Sequence, residues 1–344
     1  MHDISKKITF IIPCFNSEKQ IIDCIDSILK YIPFANIIIV DDGSIDNTYM
    51  VCKENYLSKN KNIKIFKNSN HGVSYTRNFA VNKCNTEYLF FVDSDDFVMS
   101  NEIIGVLKNY DESIDIMKFS FNIVNGRKQK KVIFQDKIIN MDDQTIKRKF
   151  NNLFFESADY NMVWGQIIKK SIMCNNGIYF DEKLAFAEDI DFNFRLYNFC
   201  HKIHLSNIIA YNYNNNCGIT KKFGYIYLNK RINDILYSFK KFLKYETVDK
   251  QVINNKFFYE IFPQLMRISE DLSMEKWINY ICNIKDGNEF KEIISDFNIE
   301  KYHGKYKKII NYFLNGNLKI MYLYSKYIYC KLKEIQGLKN KLGW

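Results

Sequence analysis

Three carboxylates come directly after an apolar run in the first third of the chain. Residues 89–92 are Leu, Phe, Phe and Val, and they lead into Asp93, Ser94, Asp95 and Asp96. Acids crowded at the end of a buried strand repel one another, which makes their ionisation costly. A divalent cation removes this cost, and a cation held by one or two carboxylates usually takes phosphate oxygens as further ligands. The pattern therefore predicts a metal and nucleotide site; a solvated acidic turn is the alternative.

A second pair of acids, Asp41 and Asp42, follows an all-aliphatic run. Gly43 permits a tight turn there, and Asp46 or Asn47 can cap the next helix. These structural roles do not explain two adjacent carboxylates at the end of an apolar strand. A carboxylate in this place can accept hydrogen bonds from a nucleobase N–H or from ribose hydroxyls, so we expect the pair to bind a nucleotide.

The elements that position these acids alternate between apolar runs and helical patterns. Four buried strands are predicted at residues 8–13, 37–40, 63–66 and 88–92, and three helices at residues 21–32, 46–56 and 73–83. Ser17 is the expected N-cap of the first helix. Strand–helix–strand order requires right-handed crossovers, which predicts an α/β fold with a mainly parallel, doubly wound sheet. Ligands bind such sheets outside the carboxyl ends of the strands, where the acids stand.

Composition narrows the class of protein. Of the 344 residues, 47% are hydrophobic and 16% aromatic, which is ample for a packed core. The nine cysteines are widely spaced without a Cys-x-x-Cys pair, so we expect free thiols in a reducing cytoplasm. The sequence has no apolar run of about 18 residues and no signal-peptide pattern, which favours a cytoplasmic protein.

Four segments, in order, resemble the signature series of family 2 glycosyltransferases. They are residues 11–16, 40–48, 70–78 and 91–96. Members of this family have the Rossmann-like GT-A fold and use nucleotide-diphosphate sugars. The resemblance therefore implies a GT-A domain and an enzyme of the EC 2.4 class, a hexosyltransferase or other glycosyltransferase.

The resemblance also implies a donor site in the first half of the chain. Asp95 would bind Mg²⁺ or Mn²⁺ that bridges the diphosphate, with Asp93 beside the ribose or sugar and as a second metal ligand. For Arg77, a structural salt bridge to one of these acids and direct substrate contact both stay open. The implied nucleotide-sugar-binding residues are Pro13, Phe15, Asn16, Asp41, Asp42, Arg77, Asp93 and Ser94.

Residues 164–192 resemble the acceptor side of the family, with a Glu-Asp pair at a helix start. Inverting transfer needs a base that takes the proton of the acceptor hydroxyl. Asp189 is the predicted base, and Glu188 would orient it or contact the acceptor. Asp191 is a second candidate, although it lies on a different face of the helix. Trp164 is predicted either to stack on an acceptor sugar or to belong to the core.

Later segments define the domain organisation. Residues 115–124 and 131–134 predict a hairpin, and residues 203–213 a late strand. We expect a catalytic domain at residues 1–223, with a nucleotide-sugar half at about 1–120 and an acceptor half at about 121–223, and a helical region at 224–344. In the loop before that region, Thr220 and Lys221 are candidate diphosphate contacts by resemblance.

The helical region is rich in lysine and tyrosine toward the C-terminus. Such a mixture can lie on an anionic lipid surface, so a peripheral membrane location is predicted beside simple packing on the catalytic domain. The same composition could bind nucleic acid, but no motif supports that, and nucleic acid is not an expected partner.

The predicted function is an inverting glycosyltransferase. It would move a sugar from a nucleotide-diphosphate sugar to a hydroxyl of a glycan or lipid-linked acceptor. The resemblance implies a UDP-sugar, the commonest donor in the family. Cell-surface polysaccharide, lipooligosaccharide and glycoprotein glycans are all compatible products. The alternatives are a pyrophosphorylase-like nucleotidyltransferase, which would need a Gly-rich phosphate loop where Pro13–Asn16 stands, and a non-catalytic nucleotide-sugar-binding scaffold.

Overall fold

The computed structural model describes residues 4–108, 110–215, 224–295, 297–301 and 304–327. The chain divides into two compact units, residues 1–220 and residues 221–344. The first unit contains the sheet and the second is helical.

The first unit is built on a single sheet of ten strands. They are β1 (Ile8–Cys14), β2 (Asn36–Asp41), β3 (Ile63–Lys67), β4 (Tyr88–Phe91), β5 (Phe97–Val98), β6 (Ile116–Asn125), β7 (Lys128–Val132), β8 (Lys137–Asn140), β9 (Gln166–Lys169) and β10 (Lys202–Asn214). The strand order is β3-β2-β1-β4-β9-β6-β10-β5, with β7 beside β6 and β8 beside β10. The β3-β2-β1-β4 block and the β6–β10 pair are parallel, and antiparallel β9 joins them.

Helices cover this sheet. They are α1 (Ile21–Leu29), α2 (Thr48–Cys52), α3 (Val73–Lys83), α4 (Ser100–Leu107), α5 (Gln144–Glu156), α6 (Lys170–Asn175) and α7 (Glu188–Phe199). A π-helical turn, Lys53–Leu57, continues α2. The expected N-cap is wrong, because α1 begins at Ile21 and the Ser17 carbonyl instead accepts the amides of Gln20 and Ile21 in the turn before it.

The sheet brings the ends of its central strands to one edge. All seven residues of β1 and all four of β4 are buried, as apolar runs covered on both faces should be. Cys14 at the end of β1 pairs in register with Asp41 at the end of β2. Because β1, β2 and β4 are parallel, the residues that follow them emerge at the same edge.

The second unit consists of helices around an aromatic core. They are α8 (Tyr225–Phe242), α9 (Lys250–Ile268), α10 (Met274–Asp286), α11 (Asn288–Ile293) and α12 (Gly304–Leu314), and residues 318–327 are also helical. Phe257 and Phe290 lie at its centre, and the buried Trp277 donates its indole N–H to the Leu265 carbonyl at 2.9 Å. Among the helices in the described part of the chain, none has the length and apolar character needed to cross a membrane.

Candidate functional site

The acidic residues that follow β4 form a tight turn at the edge of the sheet. The Asp96 amide donates to the Asp93 carbonyl at 3.1 Å, which closes the turn. Asp96 is buried, and its carboxylate accepts hydrogen bonds from the Tyr211 hydroxyl and the Asn214 amide, each at 2.7 Å. Burial and then the Asp93 charge raise the pKa of Asp96 to about 8. Asp96 is therefore part of the framework, whereas Asp93 and Asp95 remain half-buried at the edge.

Asp95 is a half-buried carboxylate whose surroundings disfavour its negative charge. Burial and then the Asp93 charge raise its pKa to about 6, so the protein does not balance its negative charge. No group of three or more His, Cys, Asp or Glu side chains within the described residues could enclose a metal ion alone. A cation at this turn would take Asp95 and Asp93 as ligands and complete its shell with oxygens from phosphate and water. This donor set fits the predicted Mg²⁺ or Mn²⁺.

Arg77, on α3, is a buried cation between several acids. Its side chain is 4% exposed. Nη1 donates to Asp189 Oδ1 at 2.7 Å and lies 3.5 Å from Glu188 Oε1. Nη2 donates to Asp93 Oδ1 at 3.2 Å. Burial opposes the charge of Arg77, but these acids together raise its pKa, so it stays cationic. Of the two predicted roles, the structure contains the salt bridge, and that bridge joins the β4 turn to α7.

Glu188 and Asp189 open α7, where the helix dipole favours negative charge. Burial and then the Asp189 charge raise the pKa of Glu188 to about 8. Burial also raises the pKa of Asp189, although the Arg77 guanidinium opposes that rise. Because Arg77 lies nearer to Asp189 than to Glu188, we infer that the pair keeps its negative charge on Asp189 and its proton on Glu188. A carboxylate with a raised pKa is well suited to accept a proton.

Asp191 is turned away from these acids into the interior. It is fully buried, and its Oδ2 accepts hydrogen bonds from Arg195 Nε at 2.9 Å and Nη2 at 2.6 Å. The same Arg195 Nη2 donates to the Tyr179 carbonyl at 2.6 Å. Asp191 thus belongs to a structural ion pair, and Asp189 remains the predicted base.

The acids after β2 shape the neighbouring loops. The Asp42 carboxylate accepts the amides of His71 at 2.8 Å and Gly72 at 2.7 Å, which fixes the turn before α3. One oxygen of Asp41 accepts the Ser44 amide and hydroxyl, and the other is buried without a hydrogen-bond donor. Both carboxylates thus hold backbone, and a nucleotide contact by either remains a prediction.

The loop after β1 is tied to the loops after β2 and β4. Pro13 is buried within β1, and Phe15 is half-buried just beyond it. Asn16 has a left-handed backbone, with φ of 52°, and its side-chain oxygen accepts the Ile45 amide at 3.0 Å. The hydroxyls of Ser17 and Ser94 lie 2.8 Å apart. The predicted nucleotide-binding segments therefore form one continuous rim.

Trp164 does not face an acceptor site. It is 3% exposed and stacks on Tyr211 with ring centroids 4.5 Å apart and on Tyr213 with centroids 5.2 Å apart. Phe121 packs edge-on against it at 4.9 Å. Its predicted acceptor-binding role is wrong, because neighbouring aromatic rings cover the indole; the core alternative is what the structure contains.

Two residues near the site were not predicted from the sequence. Lys118, on β6, is 1% exposed and donates to the Met162 carbonyl at 2.9 Å. Burial lowers its pKa to about 7, although the Asp189 charge opposes that shift. Tyr211 is the second, and it hydrogen-bonds to the β4 turn. A lysine within an apolar strand was a visible signal, whereas nothing marked Tyr211. Thr220 and Lys221, the candidate diphosphate contacts, lie outside the described residues.

Comparison with solved structures defines the class of fold. The crystal structure of Staphylococcus aureus TarS 1–349 in complex with UDP-GlcNAc is similar with a TM-score of 0.68 and 19% identity, and the match covers 94% of this chain and 92% of that one. This likeness confirms the predicted GT-A architecture with a helical C-terminal region.

Sequence comparison then gives the family. The family model described as Glycosyl transferase family 2 matches residues 9–176. The uncharacterized glycosyltransferase EpsJ of Bacillus subtilis is 25% identical over 214 residues, and the match covers 61% of each chain. The cholesterol galactosyltransferase of Borreliella burgdorferi is 26% identical over 325 residues, which cover 85% of this chain and 87% of that protein. Residues 9–176 therefore belong to glycosyltransferase family 2, as the four signature segments predicted. The chain spans 61% of the length of EpsJ and 35% of that of TarS.

Proposed function

We propose that this protein is an inverting glycosyltransferase that moves a sugar from a nucleotide-diphosphate sugar to an acceptor hydroxyl. The observation that carries the proposal is the Arg77 bridge, which holds Asp93 at the β4 turn and Asp189 at the start of α7 around one guanidinium. Asp93 and Asp189 are 96 residues apart in sequence (93 against 189). Because both contact Arg77, an acid of the predicted donor site and the candidate base lie close together.

In this mechanism Asp189 accepts the proton of the acceptor hydroxyl. The oxygen's electron pair forms the new bond to the anomeric carbon, and the bond from that carbon to the diphosphate oxygen breaks on the opposite side. The electron pair leaves with the nucleoside diphosphate, and the anomeric configuration inverts. A divalent cation bound by Asp95 and Asp93 would supply positive charge to the leaving diphosphate. Glu188, which holds its proton in this assignment, does not compete for the acceptor's proton.

The comparisons favour a UDP-sugar and a cell-surface acceptor. The TarS structure contains UDP-GlcNAc, and TarS is named as a poly(ribitol-phosphate) β-N-acetylglucosaminyltransferase. The match to the cholesterol galactosyltransferase covers 85% of this chain and 87% of that protein, so it must extend into the helical unit. We therefore propose a UDP-sugar donor and a glycan or lipid-linked acceptor of the cell surface.

A panel of nucleotide sugars, each with and without Mn²⁺, tests this proposal. We expect one donor to raise the melting temperature and to be hydrolysed slowly at its anomeric carbon in a metal-dependent way. The matched control is Asp189→Asn, which should bind the same donor without turning it over. Donor binding without turnover in both proteins would indicate a scaffold. Pyrophosphate release from a nucleoside triphosphate and a sugar 1-phosphate would indicate a nucleotidyltransferase.

We further propose that the helical unit binds the inner face of the cell membrane. Residues 221–344 hold 23 Lys and Arg against 13 Asp and Glu, a difference of 10 that equals the net charge of the whole chain. On the helix at residues 318–327, Ile320 and Leu323 are exposed beside Lys319. Exposed apolar residues next to lysines suit an anionic lipid surface. The lysine-rich residues beyond 327 lie outside the described part of the chain.

Sedimentation with lipid vesicles tests the membrane proposal. The wild type should pellet with vesicles that contain phosphatidylglycerol, less so at high salt, and not with pure phosphatidylcholine. The double variant Ile320→Glu, Leu323→Glu should lose most of this binding. Phe34→Glu, at an exposed apolar position of the first unit, is the matched control and should bind like the wild type. Equal pelleting of all three proteins would refute the assignment of this face.

A further inference from the structure

The hydroxyl of Tyr211 occupies a central place behind the β4 turn. Tyr211 lies on β10 and is fully buried. Its Oη donates to Asp96 Oδ2 at 2.7 Å and accepts the Asp93 amide at 3.1 Å. One hydroxyl therefore contacts both ends of the turn that carries Asp95.

These two hydrogen bonds determine which group the Tyr211 hydroxyl donates to and which group it accepts from. The Asp93 amide can only donate, so it must use an oxygen lone pair of Tyr211, and the single hydroxyl proton is then directed at Asp96. The Asn214 amide satisfies the second oxygen of Asp96. Tyr211 and Asp96 are both buried, so the loss of the hydroxyl would leave the Asp93 amide and one Asp96 carboxyl oxygen without this partner.

The ring of Tyr211 is itself held in place. It stacks on Trp164 with an interplanar angle of 7°. Gly165, with φ of +66°, follows that tryptophan, and a Cβ there would lie 3.6 Å from the Tyr211 Cβ. Strand β10 also pairs with β5 directly after the turn, where Tyr211 is opposite Val98. The phenol is thus a rigid support and not a side chain that happens to reach the turn.

We infer that Tyr211 is a positioning residue for the metal and diphosphate site, because it holds the Asp93–Asp96 turn in the shape that presents Asp93 and Asp95 together. It acts through the turn and touches neither cation nor donor. This inference rests on the proposed function, since it assumes that the two carboxylates bind a cation together with a nucleoside diphosphate.

The test is the variant Tyr211→Phe, with UDP and Mn²⁺ as probes in isothermal titration calorimetry. The phenylalanine keeps the ring and its stacking and removes only the hydroxyl. We expect the Mn²⁺ concentration for half-maximal UDP binding to rise roughly tenfold, as for the loss of one buried hydrogen bond that leaves its partners unsatisfied. UDP binding without Mn²⁺ should change less than twofold. Tyr213→Phe removes a hydroxyl from the neighbouring ring of the same stack and should match the wild type in both measurements.

A merely structural role would give a different result. Irreversible loss of folded protein lowers only the binding stoichiometry. A reversible equilibrium in which half of the protein is unfolded raises the apparent half-saturating Mn²⁺ concentration only about twofold, well short of tenfold. A wild-type half-saturating concentration in Tyr211→Phe would overturn the inference and leave the proposed function intact. A wild-type protein whose UDP binding ignores Mn²⁺ would overturn both.

Discussion

Replacement of Arg77 by methionine is the most informative perturbation of this site. The guanidinium is 4% exposed, and its removal leaves Asp189 and Glu188, which are 23% and 16% exposed, without their cation. Removal of one partner from a buried ion pair costs about 3–5 kcal/mol, because the remaining charge is uncompensated. We therefore expect Arg77→Met to lower the free energy of unfolding by about 3–5 kcal/mol at neutral pH.

The pH dependence of this loss follows from the acids left behind. Burial already raises the pKa of Glu188 and of Asp189, and without Arg77 both values rise further. The folded state then binds more protons than the unfolded state between the unfolded pKa values, near 4, and the raised folded values. Stability consequently falls as pH rises through this window. The deficit of Arg77→Met should be small at acidic pH and should grow by about 1.4 kcal/mol for each unit of additional pKa shift.

Urea unfolding of the wild type, Arg77→Met and Arg77→Lys across the pH range measures these differences. The lysine variant keeps the charge, but one ammonium cannot reproduce the fork that reaches Asp189 and Asp93 from separate nitrogens, so we expect an intermediate loss. An Arg77→Met deficit below about 1 kcal/mol, or one that does not change with pH, would refute the inference that this arginine neutralises the acids.

Three further predictions concern single side chains. Asp189→Asn should lower turnover by roughly 10²–10⁴-fold while UDP binding stays near wild type, and a parallel loss of binding would indicate a structural role. Asp95→Ala should abolish the Mn²⁺ dependence of UDP binding in calorimetry, and an unchanged metal dependence would contradict its assignment as a ligand. Lys118→Met should stabilise the protein at pH 7 by up to about 4 kcal/mol, because the folded-state pKa of Lys118, about 7, lies below its unfolded-state pKa. The stability of the wild type therefore rises with pH between these two pKa values. That gain should shrink toward pH 10 in urea unfolding, and a gain that does not vary with pH would show that Lys118 is not held in its neutral form.

The strand ends in the first half of the chain were predictable because they depend on short stretches of sequence. Apolar runs that are buried in the sheet end at acidic residues, and the helix predicted at residues 73–83 coincides with α3. The edge of a parallel sheet then follows from strand direction alone, which is why Asp41 and Asp93 were expected near each other.

Other features depend on contacts that sequence does not contain. Tyr211 meets Asp96 across 115 residues, and β10 reaches β6 through two irregularities in register, so no spacing rule points to that pair. Trp164 suggested either a sugar platform or a core residue, and only the presence of two tyrosines beside it decides between them. The predicted N-cap at Ser17 was wrong because a turn lies between Ser17 and α1. The amides of Gln20 and Ile21 in that turn donate to the Ser17 carbonyl and not to its hydroxyl.

The hydrogen bonds that Arg77 makes also bear on which group would neutralise the negative charge of the diphosphate. Nη1 and Nη2 each donate to an acid, Nε is buried without a partner, and the side chain is only 4% exposed, so this guanidinium is poorly placed to receive a phosphate. Lys118, whose charge interacts with Asp189, is buried as well and donates to the Met162 carbonyl. Positive charge for a departing diphosphate must then come from outside this pair, and Asp95, whose charge the protein leaves unbalanced, is the group that can recruit it as a divalent cation. In the proposed mechanism Arg77 therefore favours the ionised form of Asp189, the predicted base, whereas Asp95 and Asp93 would hold the cation that neutralises the leaving group.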